Sequence, residues 1–559
     1  MRGHRRPTEV PWKRALASLG LVGVLLGTAA CGGDDGGGSG SGEEGVQADE
    51  FSEQGDPVEG GEITVGLEAE TNSWLPGEGS FSNSGTTVAY AIYDPLIKRT
   101  AEGEFQPYLA ESMEPNADLT VWTLKLRPNV QFHDGTPLNA EALKTIFDEY
   151  LTAPTSNVRN TLADVTALNV VDDLTVEYVL SETNAAFPSV LTGSPGWPFS
   201  PTAAAAAGPD AGSEPVGTGP FSFVSWQRDN AFVVEKNENY WREGLPYLDG
   251  ITFRPIPDED TRVSSLQSGD IDVMQTLRQS TVQRARDLDG VDNYEYLGNN
   301  AGGSIINSSI APFDDLRVRQ ALAYAIDQPA LIDVIGGTGL TPAATQYFSP
   351  DSPFYSEEVA EAFPTYDVEQ AQEFYDDYIN DPQRSDGQPV GTDIAFTYRC
   401  PPDPTLNELS QLYQNFWSQL GMDVSLETVE QAAHVQNGIS KEYEVQCWRV
   451  GDEQDPYVTL RNAFTEGPLN FTGYTSSAID EGLETLRTTT DVAERQAAVE
   501  AIGMDIAENV PNLFTGYTLT DVAVRDVVKN VDGWTFPDEA EGDGVPGATT
   551  MWGEVWTTE

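Results

Sequence analysis

The sequence predicts an α/β fold with more than one lobe, and three observations lead to that prediction. Apolar, strand-like segments at 394–398, 424–427 and 443–448 alternate with helical segments, a pattern typical of a mainly parallel sheet. A chain of 559 residues with 39% hydrophobic content is too long for one ordinary core. The first half of the chain carries further strand and helix patterns of its own. Two or three lobes are therefore expected.

The beginning of the chain predicts export. A basic stretch ending at Arg14 precedes an apolar run from Ala15 to Ala30, and small residues precede Cys31. The run is shorter than the roughly 20 residues that span a bilayer, so residues 1–30 are predicted to be a lipoprotein signal peptide with lipid attachment at Cys31. Residues 31–57 are rich in Gly, Ser and acidic residues and predict a disordered tether.

A strand, a turn and a helix are predicted between residues 122 and 151. Apolar and polar residues alternate from Trp122 to Arg127, which indicates a half-buried strand. His133 to Pro137 (HDGTP) supplies turn residues, with His133 interpreted as a turn or packing residue. Asn139 is placed to cap a helix. The apolar face of that helix comprises Leu143, Ile146, Phe147, Tyr150 and Leu151.

The stretch Ala110–Phe147, AESMEPNADLTVWTLKLRPNVQFHDGTPLNAEALKTIF, resembles the signature of extracellular solute-binding proteins of ABC importers, family 5. Further segments resemble the family in the same order along the chain, from about residue 60 to 520. They are GGEITVGLEAE (Gly60–Glu70), SNSGTTVAYAIYDPLI (Ser82–Ile97), the stretch from Glu214 to Val273, FDDLRVRQALAYAID (Phe313–Asp327), QNFWSQLGMDVSLETV (Gln414–Val429) and DEQDPYVTL (Asp452–Leu460).

This resemblance implies a two-lobed, periplasmic-binding-protein-like fold of type II, in the large peptide-binding class, whose lobes close about a hinge. The first lobe would be discontinuous, with residues 58–95, 215–300 and 516–559 forming one mixed sheet. Residues 96–214 would form a subdomain appended to it. Residues 301–515 would form the second lobe, which is the α/β region described above.

The resemblance also implies charged ligand-binding residues. In peptide-binding members a carboxylate just before an acid-proline pair binds the ammonium group of the ligand, and the matching residue in CWRVGDEQDP is Asp452. An acid at the carboxyl end of a strand also lies where open α/β sheets bind ligands, although a carboxylate capping a turn is the alternative. Arg399 matches an arginine that holds the peptide carboxylate in some members, with an internal salt bridge as the alternative. Arg449 is a second candidate.

Six more residues are candidates for the wall of the cleft, because ligand pockets combine apolar walls with a few polar groups. Packing inside a lobe would explain each of them equally well. They are Trp74, Asn83, Ser84, Trp197, Tyr347 and Trp448.

Two cysteines follow Cys31. Cys400 and Cys447 end or lie within the first and third strand segments of the α/β region, and these strands are neighbours in a doubly wound sheet. An exported protein retains disulfides. A bridge between the two is therefore predicted, with two buried free thiols as the alternative.

Composition excludes several functions. The formal net charge of -59 and the lack of a basic stripe after the signal peptide argue against nucleic-acid binding. After removal of the signal peptide the only histidines are His133 and His434, so no metal site is expected. The sequence has no G-x-S-x-G, H-E-x-x-H, Walker A or C-x-x-C motif, and no enzyme activity or cofactor is expected.

The resemblance implies a monomeric receptor, anchored to the outer face of the cell membrane, that captures a short peptide and delivers it to an ABC permease and its ATPase. An oligosaccharide, a nickel or metallophore complex, or another metabolite is the alternative ligand. A sensor that signals through a membrane receptor would use the same cleft.

Overall fold

The computed structural model describes residues 55–449, 455–465 and 470–559. The predicted signal peptide, the lipidation residue Cys31 and nearly all of the predicted tether lie outside these ranges. In the described ranges, no helix has the length and apolar character needed to cross a membrane.

The strands are β1 (Glu62–Leu67), β2 (Ile97–Arg99), β3 (Phe105–Pro107), β4 (Ala110–Pro115), β5 (Val121–Leu126), β6 (Val165–Asp172), β7 (Thr175–Leu180), β8 (Phe221–Gln227), β9 (Ala231–Lys236), β10 (Gly250–Pro255), β11 (Val273–Thr276), β12 (Val291–Ile306), β13 (Ala395–Cys400), β14 (Asp423–Thr428), β15 (Val445–Arg449), β16 (Asn512–Arg525), β17 (Val528–Lys529) and β18 (Trp556–Thr557).

The α-helices are α1 (Asn83–Ile92), α2 (Ala140–Thr152), α3 (Phe187–Val190), α4 (Pro201–Ala207), α5 (Glu259–Ser268), α6 (Gln279–Arg286), α7 (Leu316–Tyr324), α8 (Gln328–Val334), α9 (Glu357–Ala362), α10 (Val368–Ile379), α11 (Pro404–Gln419), α12 (Gln431–Ser440), α13 (Pro456–Phe464), α14 (Ser477–Thr488) and α15 (Val492–Asn509).

A ten-stranded sheet runs through both lobes in the order β14-β13-β15-β12-β16-β11-β1-β10-β9-β8. Its two long central strands, β12 and β16, pair with each other over most of their length. One end of this pair joins the mixed sheet of the first lobe through β11, and the other joins the second lobe through β15. The fold is therefore the two-lobed α/β architecture that the sequence predicts.

The pairing of β12 and β16 is irregular where the strands pass from one lobe to the other. The register shifts between Leu297 and Ala301 and again between Gly302 and Gly303. A Cβ atom on Gly303 would lie 1.9 Å from the carbonyl oxygen of Leu513, so only glycine permits this approach of the two strands.

The predicted alternation of strands and helices in the second lobe is confirmed. β13 is parallel to both β14 and β15, as expected for strands joined by helical crossovers. Helix α11 packs on one face of this sheet, where Trp417 is fully buried and donates a hydrogen bond to the carbonyl of Leu322 at 3.1 Å.

Two buried cores lie on either side of the crossing strands. The first comprises residues of β1, α1, β8–β11 and the carboxyl-terminal segment, and it continues without a break into the 96–214 stretch. The second comprises α7, α10, α11 and the β13–β15 sheet. Helices α13–α15 form a further buried cluster with Tyr347, Phe514 and Tyr517. We call the region around the first core the first lobe and the region around the other two the second lobe.

The predicted strand, turn and helix near residue 130 are confirmed. β5 is a central strand of a four-stranded antiparallel sheet, β4-β5-β7-β6, and the Asn139 side chain caps α2 by accepting from the amide of Ala142 at 2.9 Å. His133 fixes a turn: its Nδ1 accepts from the Gly217 amide at 3.3 Å, so its Nε2 donates to the Gly219 carbonyl at 3.0 Å.

Candidate functional site

The candidate site lies at the carboxyl end of β15, where the second lobe meets the crossing strands. Side chains alternate along β15, so Val445 and Cys447 face the core beneath α11, whereas Gln446 and Trp448 face α12. The backbone of Trp448 pairs with Gly303 and that of Arg449 with Gly302. This end of β15 is therefore fixed directly to the joint between the lobes.

Trp448 lies in an aromatic cluster. Its ring centroid is 5.7 Å from that of His434, with an angle of 29° between the ring planes, and 4.5 Å from that of Phe471. A Cβ atom on Gly438 would lie 3.3 Å from the Trp448 ring, so the absence of a side chain there lets α12 pack closely on β15. Trp448 is half-buried.

His434 attaches α12 to the same strand. Its Nε2 lies 2.9 Å from the carbonyl oxygen of Cys447, and its Nδ1 is buried with no hydrogen-bond partner among the described residues. Burial lowers the pKa of this imidazole, so it is neutral near pH 7 and Nε2 is the donor.

Arg399 has an internal partner. Its guanidinium donates to the carboxylate of Glu427 at 2.7 Å, directly across from it on β14, and to the carbonyl of Glu442 at 3.4 Å. Because β13 and β15 are parallel and Glu442 precedes β15, the guanidinium points toward the start of β15. The structure thus places Arg399 in the internal salt bridge named as its alternative, away from the end that carries Trp448.

The segment that carries Asp452 lies outside the described residues, as does the side chain of Arg449. The residue that follows this segment is Asp455, and its side chain was not among the candidates. It caps α13 by accepting from the Tyr457 amide at 2.8 Å, and both of its oxygens bind Arg495 of α15, at 2.8 and 2.7 Å. Both side chains are over 90% buried.

Arg495 also donates to the carbonyls of Leu486 and Thr489, at the end of α14. Asp455 and Arg495 therefore join the start of α13 to α14 and α15 at the point where the chain leaves the candidate site. The sequence signals only half of this arrangement: an acid before a proline predicts a helix start, but nothing in the pattern identifies an arginine 40 residues later.

The aromatic candidates of the first lobe are packing residues in the structure. Trp74 is 1% exposed and its ring lies 4.4 Å from that of Phe232. Trp197 is 2% exposed and contacts the rings of Phe81 and Tyr90, with its indole nitrogen donating to the Thr192 carbonyl at 3.2 Å. Both extend the first core instead of lining a surface.

The polar candidates of the first lobe are hydrogen-bonded internally. Ser84 donates to Gln275 at 2.6 Å, and Gln275 donates onward to the Ala548 carbonyl at 2.8 Å. Asn83, the first residue of α1, donates to the Gly547 carbonyl at 2.7 Å. These bonds hold α1 against the carboxyl-terminal segment.

Tyr347 lies in the helical cluster of the second lobe. Its ring is 3% exposed and meets the rings of Phe464 and Phe514 edge-on, at 5.9 and 5.4 Å. Trp448 therefore lies directly beside the start of the Asp452 segment. Four of the other candidates are buried within their own lobes: Trp74, Ser84, Trp197 and Tyr347. Asn83 is half-buried and bonded to the carboxyl-terminal segment.

Cys400 and Cys447 are joined by a disulfide in the structure, with their Cα atoms 5.4 Å apart. They lie on the neighbouring parallel strands β13 and β15, as the predicted strand order requires. Within the described ranges, no group of three or more His, Cys, Asp and Glu side chains is arranged to hold a metal ion.

Three comparisons relate this fold to known proteins. The chain is 30% identical to the "Glutathione-binding protein GsiB" of Pectobacterium atrosepticum over 447 residues, which cover 77% of this chain and 83% of that protein. The periplasmic binding protein DppA from Helicobacter pylori, solved with the peptide STSA, has a TM-score of 0.71 at 22% identity, covering 90% of this chain and 99% of that one. AgaA from Agrobacterium tumefaciens, solved with agropinic acid, has a TM-score of 0.69 at 24% identity, covering 89% and 99%.

The model of the bacterial extracellular solute-binding proteins, family 5, matches residues 104–471, about two thirds of the chain. These relatives are binding proteins, which fits a role without enzyme activity. Family members act outside the cytoplasm as the solute-binding components of ABC importers. On this evidence, the chain belongs to family 5 of the bacterial extracellular solute-binding proteins.

Proposed function

We propose that this protein captures a short peptide between its two lobes and delivers it to an ABC permease. One observation carries the choice of ligand: the relative that shares 30% identity over 77% of this chain is named as a glutathione-binding protein. Glutathione is itself a tripeptide with an ammonium group and two carboxylates. A non-peptide solute is the second candidate, since the same fold occurs in a protein solved with agropinic acid.

In this proposal Asp452 binds the ammonium group of the ligand. The described residues on either side of its segment are held in place. At one side, Arg449 pairs with Gly302 of the crossing strand, and at the other, Asp455 is bound by Arg495. Trp448 would supply an apolar wall.

The carboxylate of the ligand is assigned to Arg399 or Arg449. For Arg399 the ligand would have to compete with Glu427, whose carboxylate binds the same guanidinium at 2.7 Å. Replacing Arg399 with Ala should weaken binding of peptides with a free carboxylate more than that of amidated peptides. Equal losses for both ligands would exclude this role.

The lobe boundaries, the lipid anchor and the disulfide are part of the same proposal. The strands β12 and β16 cross between the lobes near residues 300 and 516, which supports the proposed lobe boundaries. The first lobe would comprise residues 58–95, 215–300 and 516–559, with the appended subdomain at 96–214, and the second lobe would comprise residues 301–515. Cys31 would carry the lipid that anchors a monomer to the cell membrane. Intact mass after alkylation tests both modifications, since it would show lipid at Cys31 and no alkylation of Cys400 and Cys447 before reduction.

The test of the proposed function is calorimetric titration with glutathione and with di- to pentapeptides, each compared with its amino-acetylated form. Asp452→Asn should weaken binding of peptides with a free ammonium group by about 2 to 5 kcal/mol, because it removes one partner of a desolvated charge pair. The matched control is Glu453→Gln, one residue away, which should leave affinity unchanged. Unchanged affinity in Asp452→Asn would refute the assignment of this residue.

A further inference from the structure

Residues 181–187 of the first lobe, here called the latch segment, form a surface that faces the second lobe. The Asn184 carbonyl accepts from the indole of Trp122 at 3.2 Å, and the Asn184 side chain accepts from the amide of Ala186 at 2.9 Å. Phe187 is 1% exposed and packs against Trp122 and Tyr178. The segment is therefore held in place by its own lobe.

On the second lobe, Arg487 is oriented before it meets this segment. It lies in the last turn of α14, and its guanidinium forms hydrogen bonds of 2.8 to 3.0 Å with both carboxylate oxygens of Glu484, one turn earlier. A guanidinium held in this way loses little side-chain entropy when it binds a further acceptor.

The latch segment and Arg487 bond to each other through both side chain and backbone. Arg487 Nη1 donates to the Thr183 carbonyl at 2.8 Å, and the Ala185 amide donates to the Arg487 carbonyl at 2.8 Å. Ala186 is buried in the cluster formed by the α13–α15 helices. A second contact lies nearby, where Arg461 of α13 pairs with Asp164 at 3.4 Å.

We propose that these contacts form a latch that holds the two lobes together and so sets how long the ligand is retained, without touching the ligand. The contacts bridge two separate cores, and their charged groups are partly exposed: the Arg461 and Asp164 side chains are 36% and 38% exposed. Water can therefore replace each bond as the lobes part, which makes the latch reversible. Because the ligand binds between the lobes, any loss of the closed state lowers affinity for every ligand by the same factor.

The latch is tested with Arg487→Gln, using two measurements. Hydrogen exchange of the Ala185 amide, in protein without added ligand, should become about tenfold faster or more, because a hydrogen bond from a charged donor holds the closed form. Dissociation of glutathione, its amidated form and a dipeptide should accelerate by one common factor of similar size. The control is Arg284→Gln, which removes an ion pair with Asp260 on the surface of the first lobe and should change neither quantity.

A charge exchange provides a second variant. Asp164→Arg and Arg461→Asp should each accelerate exchange at Ala185, and combining them should restore the original rate. The dissociation measurement rests on the proposed function, whereas the hydrogen-exchange measurement does not. If the protein binds no peptide, the exchange rate at Ala185 alone tests the latch. Unchanged exchange at Ala185, or a loss of affinity confined to ligands with a free carboxylate, would overturn the latch.

Discussion

The two ends of helix α13 hold acid-arginine pairs of opposite character. At its start, Asp455 and Arg495 are 5% and 8% exposed and share two hydrogen bonds within one lobe. Near its end, Arg461 and Asp164 are 36% and 38% exposed and bridge two lobes. Removing one partner of a buried pair leaves an uncompensated charge, whereas an exposed pair can exchange its partner for water. Burial therefore separates contacts that maintain the fold from contacts that break as the lobes move.

The largest effect is expected at the buried pair. Asp455→Ala should lower the free energy of unfolding by about 3 to 5 kcal/mol, because the buried charge of Arg495 would lose its only anionic partner in the described structure. The matched control is Asp367→Ala, which removes an exposed cap of α10 and should cost only about 1 kcal/mol. Urea unfolding of both variants measures the difference. Equal losses would mean that Asp455 acts only as a helix cap.

The joint between the lobes should be the next most sensitive place. Gly303→Ala would bring a methyl group to 1.9 Å from the Leu513 carbonyl oxygen, and we expect a loss of about 1 to 3 kcal/mol as the crossing strands separate. Gly302→Ala is the control, since its nearest atom would be the Gly516 oxygen at 3.7 Å. If the unfolding temperature falls by the same amount in both variants, the close approach of the two strands is not what requires glycine at position 303.

The last of these effects depends on pH and involves the turn at His133. Burial lowers the pKa of this imidazole from 6.5 to about 4, so the unfolded chain binds the proton more readily than the folded protein. The neutral His133 side chain makes its full contribution to stability above pH 6.5. This contribution is lost as the pH falls from 6.5 to 4, by about 1 kcal/mol per pH unit.

Replacing His133 with Gln should flatten this part of the pH profile. The measurement is urea unfolding of both proteins at pH 7.5, 6 and 5. If the slope between pH 6 and 5 were the same in both proteins, His133 would not be the group that titrates.

Local patterns were sufficient to predict most of the fold. The Asn139 cap, the alternation in β5 and the parallel strands β13 to β15 all depend on residues close together in the sequence, and the structure has them at those places. The crossing strands are different, because their pairing joins residues more than 200 positions apart. The resemblance to a family supplied that part of the prediction.

The candidate site was harder to predict, because residue type alone does not separate a binding wall from a core. Trp74 and Trp197 have the chemistry of a ligand platform, yet each is at least 98% buried among other aromatic rings. Arg399 has the geometry to hold a carboxylate, and the structure supplies one from Glu427. Asp455 and Arg487 were missed because their partners, Arg495 and Thr183, are 40 and 304 residues away.

Peptide capture is tested by measuring the thermal stability of the protein during titration with glutathione and di- to pentapeptides, and in parallel with oligosaccharides and nickel chelates. A ligand that binds only the folded state stabilises it by about 2.7 kcal/mol at a hundred times its dissociation constant. We expect peptides to raise the unfolding temperature and the other solutes to leave it unchanged. A rise with sugars or metal complexes and none with peptides would exclude a short peptide as the ligand.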